Sequence, residues 1–341
     1  MLLTGCSSEI SNEYVTISQY KGIEVEKVEV QEVTDEEVES EIQYMLECYA
    51  EYNDITDRAA QLGDTVTIAY VGKLDGEAFD GGTSESYDLE LGSGTFIDGF
   101  EDGIVGHEIG DEFDLELTFP EDYGSTDLAG QDVVFEVTLN AITEVNIPEL
   151  TDEWVQEVSE TSTTVDEYRT EKREELETYY AESAESEMKS AVWEQFLENT
   201  TVDQYPTEEL QELIAKYQSQ YEEWAESYNM EFEEFLESYM GMDEDTFNSE
   251  VSTAAKDQIK ETYAVNLVIE KEKIDVSEEK LMPVYEEYAE YFGYETVDEL
   301  KAALEEAGTL DSLEQLGRAE VLQDWLLENA KLVEAEESSE E

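Results

Sequence analysis

The first half of the chain alternates apolar and polar residues in short runs that end at glycine. Residues 65–72 alternate with period two and are rich in β-branched and aromatic side chains, which is typical of a half-buried strand. Similar runs at 87–91, 113–119 and 133–139 predict three more strands. Asp75-Gly76 lies between two apolar-containing runs and favours a tight hairpin turn, so the strands on either side of it are expected to pair directly.

Two helices are predicted around these strands. Apolar residues at 96, 97, 100, 104 and 105 are close to helical spacing and predict a short helix from about Phe100, laid across the sheet. Upstream, Thr34 and Glu37 are spaced for a capping box at the start of a helix that reaches about Tyr52. Residues 63–144 are therefore predicted to be a small α+β domain, an antiparallel sheet wrapped on a short helix.

Beyond residue 143 the pattern changes to helical periods, with no strand predicted. Helices are expected at 165–197, 206–228, 232–240, 247–269, 278–292, 297–306 and 310–333. Aromatic and methionine side chains crowd between 217 and 242. They are either core between helices or, for some of them, a surface that grips unfolded chains, since Met is adaptable and Tyr has a polar tip.

Charge and composition exclude several functions. With 92 acidic and 17 basic residues the net charge is −75, so no nucleic-acid partner is expected. Two cysteines and one histidine cannot build a disulfide framework or a zinc cluster, and no cofactor is predicted. Residues 243–254 begin like a calcium loop but place Asn248 and Ala254 where Gly and a carboxylate are needed, so no specific metal site is predicted. Diffuse collection of cations by an acidic surface protein stays open.

Four ordered motifs carry the most specific signal. They are GDTVTI at 63–68, VGKLDG at 71–76, LGSGTFIDGFE at 91–101, and FPEDY at 119–123 followed by LAG at 128–130. In this order they resemble the FKBP-type peptidyl-prolyl isomerases, specifically the version found inside trigger factor. Residues 147–154 resemble the junction that follows that domain, and the helical half resembles the trigger factor chaperone domain by pattern and order.

The resemblance implies a peptidyl-prolyl cis–trans isomerase with an aromatic proline pocket. The implied pocket residues are Tyr70, Phe79, Phe96, Ile97, Phe100, Tyr123 and Phe135. Asp80 matches the acid of the family near the pocket, and the backbone N–H of Ile97 is expected to hold a substrate carbonyl. Tyr70 and Phe135 remain open between pocket and core, and Asp80 between catalysis and turn capping.

An aromatic pocket suits this reaction because nothing covalent has to happen. Rotation about a peptide bond faces a barrier of about 18–20 kcal/mol, since resonance must be broken. The twisted amide of the transition state has less charge separation than the planar amide, so an apolar, water-poor groove favours it.

Near the start of the chain, Leu3-Thr4-Gly5-Cys6 fits the bacterial lipobox, in which Cys6 is lipidated after cleavage. The basic n-region and most of the apolar h-region that normally precede it are missing. This pattern predicts an extracytoplasmic protein held on the outer face of the bacterial membrane through Cys6, or a cytoplasmic one if the tetrapeptide arose by chance.

The predicted organisation has five parts. They are a lipoprotein leader remnant and linker at 1–19, a strand and helix at 20–62 that pack with the helical body, the isomerase domain at 63–144, the helical chaperone domain at 145–333, and an acidic disordered tail at 334–341. The basic tip loop with which trigger factor docks on ribosomes is absent, so ribosome binding is not expected.

Two functions fit this organisation. The first is a foldase that isomerises and chaperones unfolded or newly secreted proteins containing X-Pro bonds. The second is a binding-only chaperone whose FKBP-like domain is catalytically weak.

Overall fold

The computed structural model describes residues 9–334, and these fall into two compact units. Residues 32–178 form one, here called the sheet unit; residues 9–31 together with 179–334 form the other, here called the helical unit. Cys6 and residues 335–341 of the predicted acidic tail lie outside the described residues. Within residues 9–334, no helix combines the length and apolarity needed to cross a bilayer.

The sheet unit opens with helix α1 (Asp35–Cys48) and then a five-stranded antiparallel sheet. Its strands are β4 (Glu51–Asp54), β5 (Asp64–Leu74), β6 (Glu77–Glu90), β7 (Glu112–Thr118) and β8 (Asp132–Asn146), with the short helix α2 (Phe100–Ile104) between β6 and β7. Strand β8 is central: β5 pairs along one edge, while β7 and β4 share the other. Strand β6 pairs with β5. The α+β class and the short helix are therefore as predicted.

The β5–β6 hairpin turns at Asp75 and Gly76, both with positive φ, as the Asp-Gly pair predicts. The sequence pattern indicated a separate strand at 87–91, but β6 runs unbroken from Glu77 to Glu90. Register shifts opposite it, between Ile68 and Tyr70 and between Val71 and Lys73, absorb the irregular stretch around Gly81 and Gly82.

The sheet packs its apolar face on α2. Fully buried side chains from three strands and the helix form this core, among them Val66, Ile68, Phe100, Ile104 and Leu139. Helix α1 begins at the predicted capping box, because Thr34 accepts from the Glu37 N–H and Glu37 accepts from the Thr34 N–H. It ends at Cys48, earlier than predicted, since residues 51–54 pair with β8 as strand β4.

Two more helices complete this unit: α3 (Asp152–Val158) and the first part of α4 (Val165–Glu198). Trp154 and Val155 of α3 and Tyr168 of α4 bury against Val38 and Ile42 of α1, forming a second apolar cluster.

The helical unit contains the rest of α4, then α5 (Thr207–Ser227), α6 (Phe232–Phe235), a π-helical segment (Leu236–Met240), α7 (Glu244–Glu272), α8 (Glu278–Tyr291), α9 (Val297–Ala307) and α10 (Leu310–Glu328). It also contains five short strands: β1 (Ile10–Ser11), β2 (Val15–Ile17), β3 (Glu24–Glu26), β9 (Thr200–Val202) and β10 (Lys331–Val333). The prediction of an all-helical region beyond residue 143 is wrong at β9 and β10. Each forms only by pairing with a distant segment, β9 with β2 and β10 with β3.

A partly buried ion pair joins the start of β5 to the loop before it. Arg58 donates to both carboxylate oxygens of Asp64, at 2.6 and 2.8 Å, and to Glu144 at 3.0 Å. The hydrogen bonds from Arg58 lower the pKa of Asp64 below its ordinary value. By contrast Lys73, the other Lys or Arg between residues 51 and 146, pairs with the half-exposed Glu136.

Replacing Arg58 is expected to destabilise the sheet unit. Arg58→Met leaves Asp64 buried without its cation, so thermal unfolding should shift down further than in the matched Lys73→Met variant. Because the folded pKa of Asp64 is depressed, its contribution is present above about pH 4 and is lost as pH falls through the folded value. Arg58→Met should therefore also shrink the loss of stability in acid; equal midpoints for the two variants would contradict this role.

Glu320 in the helical unit is expected to contribute to stability with the opposite pH dependence to Asp64. Burial, then Glu287 and Asp324, raises the pKa of Glu320 on α10, against the opposing effect of Lys189. A raised folded pKa contributes stability that is present below about pH 4.3 and is lost as pH rises through the folded value. Glu320→Gln should stabilise the protein at pH 7, measured by thermal unfolding, whereas Glu328→Gln at an exposed position on the same helix should not.

Candidate functional site

An aromatic cleft of about 400 Å³ opens on the sheet unit. It is lined by Tyr70, Phe79, Gly81, Gly82, Thr95, Phe96, Ile97, Asp98, Phe119, Pro120, Tyr123 and Phe135. These residues come from β5, β6, β8, the loop before α2 and the loop after β7. Chain segments far apart in sequence therefore meet at one apolar surface.

Two glycines make room for the Phe79 ring. A Cβ on Gly72 would stand 2.6 Å from the Phe79 ring and 2.7 Å from Phe135, and one on Gly82 would also collide with Phe79. Gly72 lies directly opposite Phe135 in the β5–β8 register. The Phe79 ring thus packs over Gly72 and Gly82, and it is T-shaped to the rings of Phe119 and Phe135 at centroid distances of 5.9 and 6.0 Å.

Tyr70 lies at the centre of the aromatic cluster. Its ring makes edge contacts with Phe96, Phe100 and Phe135 at centroid distances of 5.5, 6.0 and 6.1 Å. Burial, and then the neighbouring Tyr87, raises the pKa of Tyr70 above its ordinary value. The phenol therefore stays protonated at neutral pH and can donate a hydrogen bond.

Phe100 forms the floor beneath the cleft. It is fully buried at the start of α2, stacks on Phe96 at 4.1 Å between centroids, and meets the Phe135 ring edge-on at 5.1 Å. Through this stack, the helix supports the loop that carries Phe96 and Ile97.

Glu101 holds that loop in place. Its carboxylate accepts hydrogen bonds from the backbone N–H groups of Gly92, Gly94 and Phe96, at 2.8, 3.0 and 3.2 Å, and from the Ser93 hydroxyl at 3.3 Å. Burial alone would raise the pKa of Glu101, but these bonds outweigh it and lower the pKa. The buried side chain is thus an anion that fixes a loop by its backbone.

Most of the residues implied by the resemblance come together here. Tyr70, Phe79, Phe96, Ile97, Tyr123 and Phe135 line the cleft, and Phe100 lies under it. Asp80 is exposed on β6 and is not among the lining residues. Phe119, Thr95 and Asp98 also line the cleft but were not predicted as site residues; for Phe119 the signal was present, since it opens the FPEDY motif. The function of each residue stays a prediction.

The helical unit has an apolar cavity of its own, of about 270 Å³. It is lined by Tyr217, Gln220, Tyr221, Trp224, Met240, Phe247, Glu250, Val251 and Ala254, from α5, α7 and the π-helical segment. Phe247 is buried, whereas Trp224 is 45% exposed. The aromatic crowd at 217–242 therefore divides between core and surface, as its two interpretations allowed.

Two families match the chain in succession. Residues 56–140 match the FKBP-type peptidyl-prolyl cis-trans isomerase family, and residues 164–328 match the bacterial trigger factor protein C-terminus. The first match contains the aromatic cleft, and the second contains the cavity at Trp224.

Similar proteins span nearly the whole chain. Trigger factor of Anoxybacillus flavithermus is 34% identical over 94% of this chain and 73% of its own length, and that of Acetivibrio thermocellus is 36% identical with the same two shares. Trigger factor of Halothermothrix orenii is 36% identical over 92% of this chain and 72% of its own. A solved chain of the trigger factor chaperone has a TM-score of 0.43 and 19% identity, covering 94% of this chain and 78% of that one.

The predicted extracytoplasmic, lipid-anchored location is wrong. The similar proteins are named trigger factor, a cytoplasmic chaperone, and nothing in the comparisons indicates a lipid-anchored protein outside the cytoplasm. The lipobox interpretation rested on the tetrapeptide ending at Cys6, which is short enough to arise by chance.

The site and the comparisons therefore agree. The sheet unit carries an FKBP-type domain with an aromatic cleft, the helical region matches the trigger factor C-terminus, and relatives more than 30% identical match over more than two thirds of their length. The chain belongs to the trigger factor family and is a peptidyl-prolyl cis–trans isomerase and chaperone that binds unfolded polypeptides.

Proposed function

We propose that the aromatic cleft of the sheet unit is the isomerase site and that its substrates are X-Pro bonds of unfolded polypeptides. The observation that carries this proposal is the convergence of Tyr70, Phe79, Phe96 and Phe135 on one apolar cleft. Such a surface offers few charges or dipoles to the planar, charge-separated amide and favours the twisted one. In this proposal, residues 63–144 catalyse the isomerisation and residues 145–333 bind the unfolded polypeptide.

A substrate carbonyl would be held by the loop that Glu101 fixes. Among residues 9–334, the Ile97 N–H has no intramolecular hydrogen-bond partner, and it lies one residue after Phe96, whose N–H is bonded to Glu101. Holding one carbonyl while the proline ring sits against Phe79 and Phe135 would leave the peptide bond between them free to rotate. Asp80, outside the lining, would act through its field at the mouth of the cleft.

This proposal is tested by exchange NMR on a short Leu-Pro peptide whose cis and trans forms give separate signals. Added protein should speed the exchange, and amide signals of Tyr70, Phe96 and Ile97 should shift in a saturable way. A peptide with Ala in place of Pro should shift them far less. Saturable shifts confined to other residues would contradict the site, and no acceleration would favour the binding-only chaperone.

The cavity at Trp224 is the place we propose for gripping unfolded chains in the helical unit. It combines an exposed indole with buried aromatic walls and the adaptable Met240. Trp224→Ala should weaken suppression of aggregation of a denatured protein and leave isomerisation of the Leu-Pro peptide unchanged. Trp193→Ala serves as a control for loss of a tryptophan elsewhere in the unit, since Trp193 packs on the core around Phe196. If the Trp224→Ala variant suppressed aggregation as fully as the unaltered protein, the proposal that unfolded chains bind at this cavity would be refuted.

A further inference from the structure

One charged side chain lines the otherwise uncharged cleft. Of the twelve lining residues, Asp98 is the one Asp, Glu, Lys, Arg or His, and it follows Ile97 directly. Its side chain makes no hydrogen bond or ion pair with any residue between 9 and 334. A carboxylate at this position is therefore available to a bound substrate.

No lysine or arginine between residues 51 and 146 competes for this carboxylate. Arg58 and Lys73 are the only Lys or Arg residues between 51 and 146. Arg58 is bonded to Asp64 and Glu144, and Lys73 to Glu136, none of which lines the cleft. The exposed acids Asp80, Glu121 and Asp122 adjoin lining residues in the chain and add negative charge at the rim.

The molecule itself shows how such a site holds a cation. In the helical unit, the Lys301 ammonium lies 4.1 Å from the centroid of the Tyr285 ring and 2.6 Å from a carboxylate oxygen of Glu278. Lys172 is held in a similar way, 5.1 Å from the Tyr168 ring and 2.7 Å from Glu175. An aromatic face beside a carboxylate is a favourable place for an ammonium or guanidinium group.

The cleft likewise combines a carboxylate with aromatic faces, and no lysine or arginine is among its lining residues. Asp98 supplies the carboxylate, and Tyr70, Phe96 and Tyr123 supply aromatic faces in the same lining. We propose that Asp98 determines substrate specificity: the cleft prefers prolines with a lysine or arginine as an immediate neighbour and disfavours those next to an acidic residue. This inference rests on the proposed isomerase site, of which it names the substrate class.

The test uses the full chain and two series of short peptides, Xaa-Pro and Pro-Xaa, with Lys, Leu or Glu as Xaa. Exchange NMR at low salt measures kcat/KM without a coupling protease. In at least one series the Lys peptide should exceed the Glu peptide by about two- to five-fold, the range of a partly exposed ion pair. The ratio should shrink as salt is raised.

Variants then assign the preference to one residue. Asp98→Asn should bring the Lys-to-Glu ratio close to one, and Asp98→Lys should lower it further or invert it. The matched control is Asp102→Asn, which removes the same charge from an exposed position on α2 that does not line the cleft. It should keep most of the ratio, because the rest of the negative charge is unchanged.

The outcomes distinguish the specificity proposed for Asp98 from the isomerase site on which it rests. A wild-type ratio near one in both series, or an equal loss of the ratio in Asp98→Asn and Asp102→Asn, would overturn the specificity of Asp98 while leaving the isomerase site intact. If instead all three peptides of a series are turned over as fast by Phe79→Ala as by the unaltered protein, the proposed site itself fails.

Discussion

Phe79→Ala is expected to lower kcat/KM for isomerisation of a Leu-Pro peptide by roughly 10- to 100-fold. Phe79 is the one cleft side chain that lies over two glycines, Gly72 and Gly82, so the strand positions beneath it have no side chain to fill the space of its ring. Burying an aromatic side chain contributes about 1.5–3 kcal/mol, and each 1.4 kcal/mol is tenfold in rate if the contact is made in the transition state.

Stability should change much less than activity. Phe79 is only partly buried, so the free energy of unfolding should fall by less than the about 3–5 kcal/mol typical of truncating a fully buried phenylalanine. Phe113→Ala is the matched control: Phe113 is also partly buried against the same core, stacks on His107, and does not line the cleft. Its unfolding should change by a similar amount, with kcat/KM retained.

Two readouts decide the matter. The first is peptide exchange by NMR, and the second is refolding of a protein limited by a trans-to-cis proline. Loss of both in Phe79→Ala, with both retained in Phe113→Ala, is the expected pattern. Equal losses in the two variants would mean that the ring matters for packing rather than for the reaction.

Glu101→Gln is expected to weaken both the fold and the reaction, because it loosens the loop that carries Phe96 and Ile97. The carboxylate accepts three backbone N–H groups, from Gly92, Gly94 and Phe96. The amide keeps the shape, but its nitrogen cannot accept, so at least one of these N–H groups loses its partner. A hydrogen bond to a charged group is worth about 1.5–3 kcal/mol, and this is the expected loss in free energy of unfolding.

The activity of Glu101→Gln should fall mainly through kcat. The loop is then free to sample positions in which the Ile97 N–H no longer faces a substrate carbonyl, and small misplacements of this kind are costly to rate. Asp88→Asn is the control, since the Asp88 carboxylate accepts a bond from Thr67 on exposed strand positions away from the loop. Unfolding in denaturant and peptide exchange are measured for both; wild-type values for Glu101→Gln would contradict a positioning function.

The loss of stability in acid gives an independent check on the function of Glu101. Its folded pKa is lowered, so its contribution to stability is fully present above about pH 4.3 and is lost as pH falls through the folded value. In Glu101→Gln this part of the acid sensitivity should disappear, whereas Asp88→Asn should keep it. The same loss of stability in acid for wild type and Glu101→Gln would show that the carboxylate does not titrate as described.

Local rules predicted much of this molecule from sequence. The alternation at 65–72, the Asp75-Gly76 turn and the Thr34–Glu37 capping box each depend on neighbours within a few residues, and each is present in the structure. The long helices of the second half were also predicted within a few residues, because apolar spacing over many turns is a strong signal, except that α10 ends at Glu328 and not at 333. Ordered motifs, read together, indicated the cleft residues.

Long-range pairing is what the local pattern could not predict. Strands β4, β9 and β10 have no alternation of their own and exist because β8, β2 and β3 present free edges to them. The end of α1 at Cys48 follows from the same cause, since the residues after it pair as β4. Hydrogen bonds between distant segments outweighed weak local preference at each of these places.

For the functional site, too, some features follow from the sequence and others only from the tertiary structure. Sequence by itself determined which aromatic residues are present, where the turns fall, and that the chain carries a large negative charge. Only the tertiary structure decided that Phe119 and Asp98 line the cleft, that Asp80 does not, and that Glu101 turns inward to bond the loop at 92–96. The physical reason is that burial and hydrogen-bond partners depend on which segments meet in space. The sequence does not distinguish a glutamate that faces water from one whose carboxylate accepts hydrogen bonds from several backbone N–H groups.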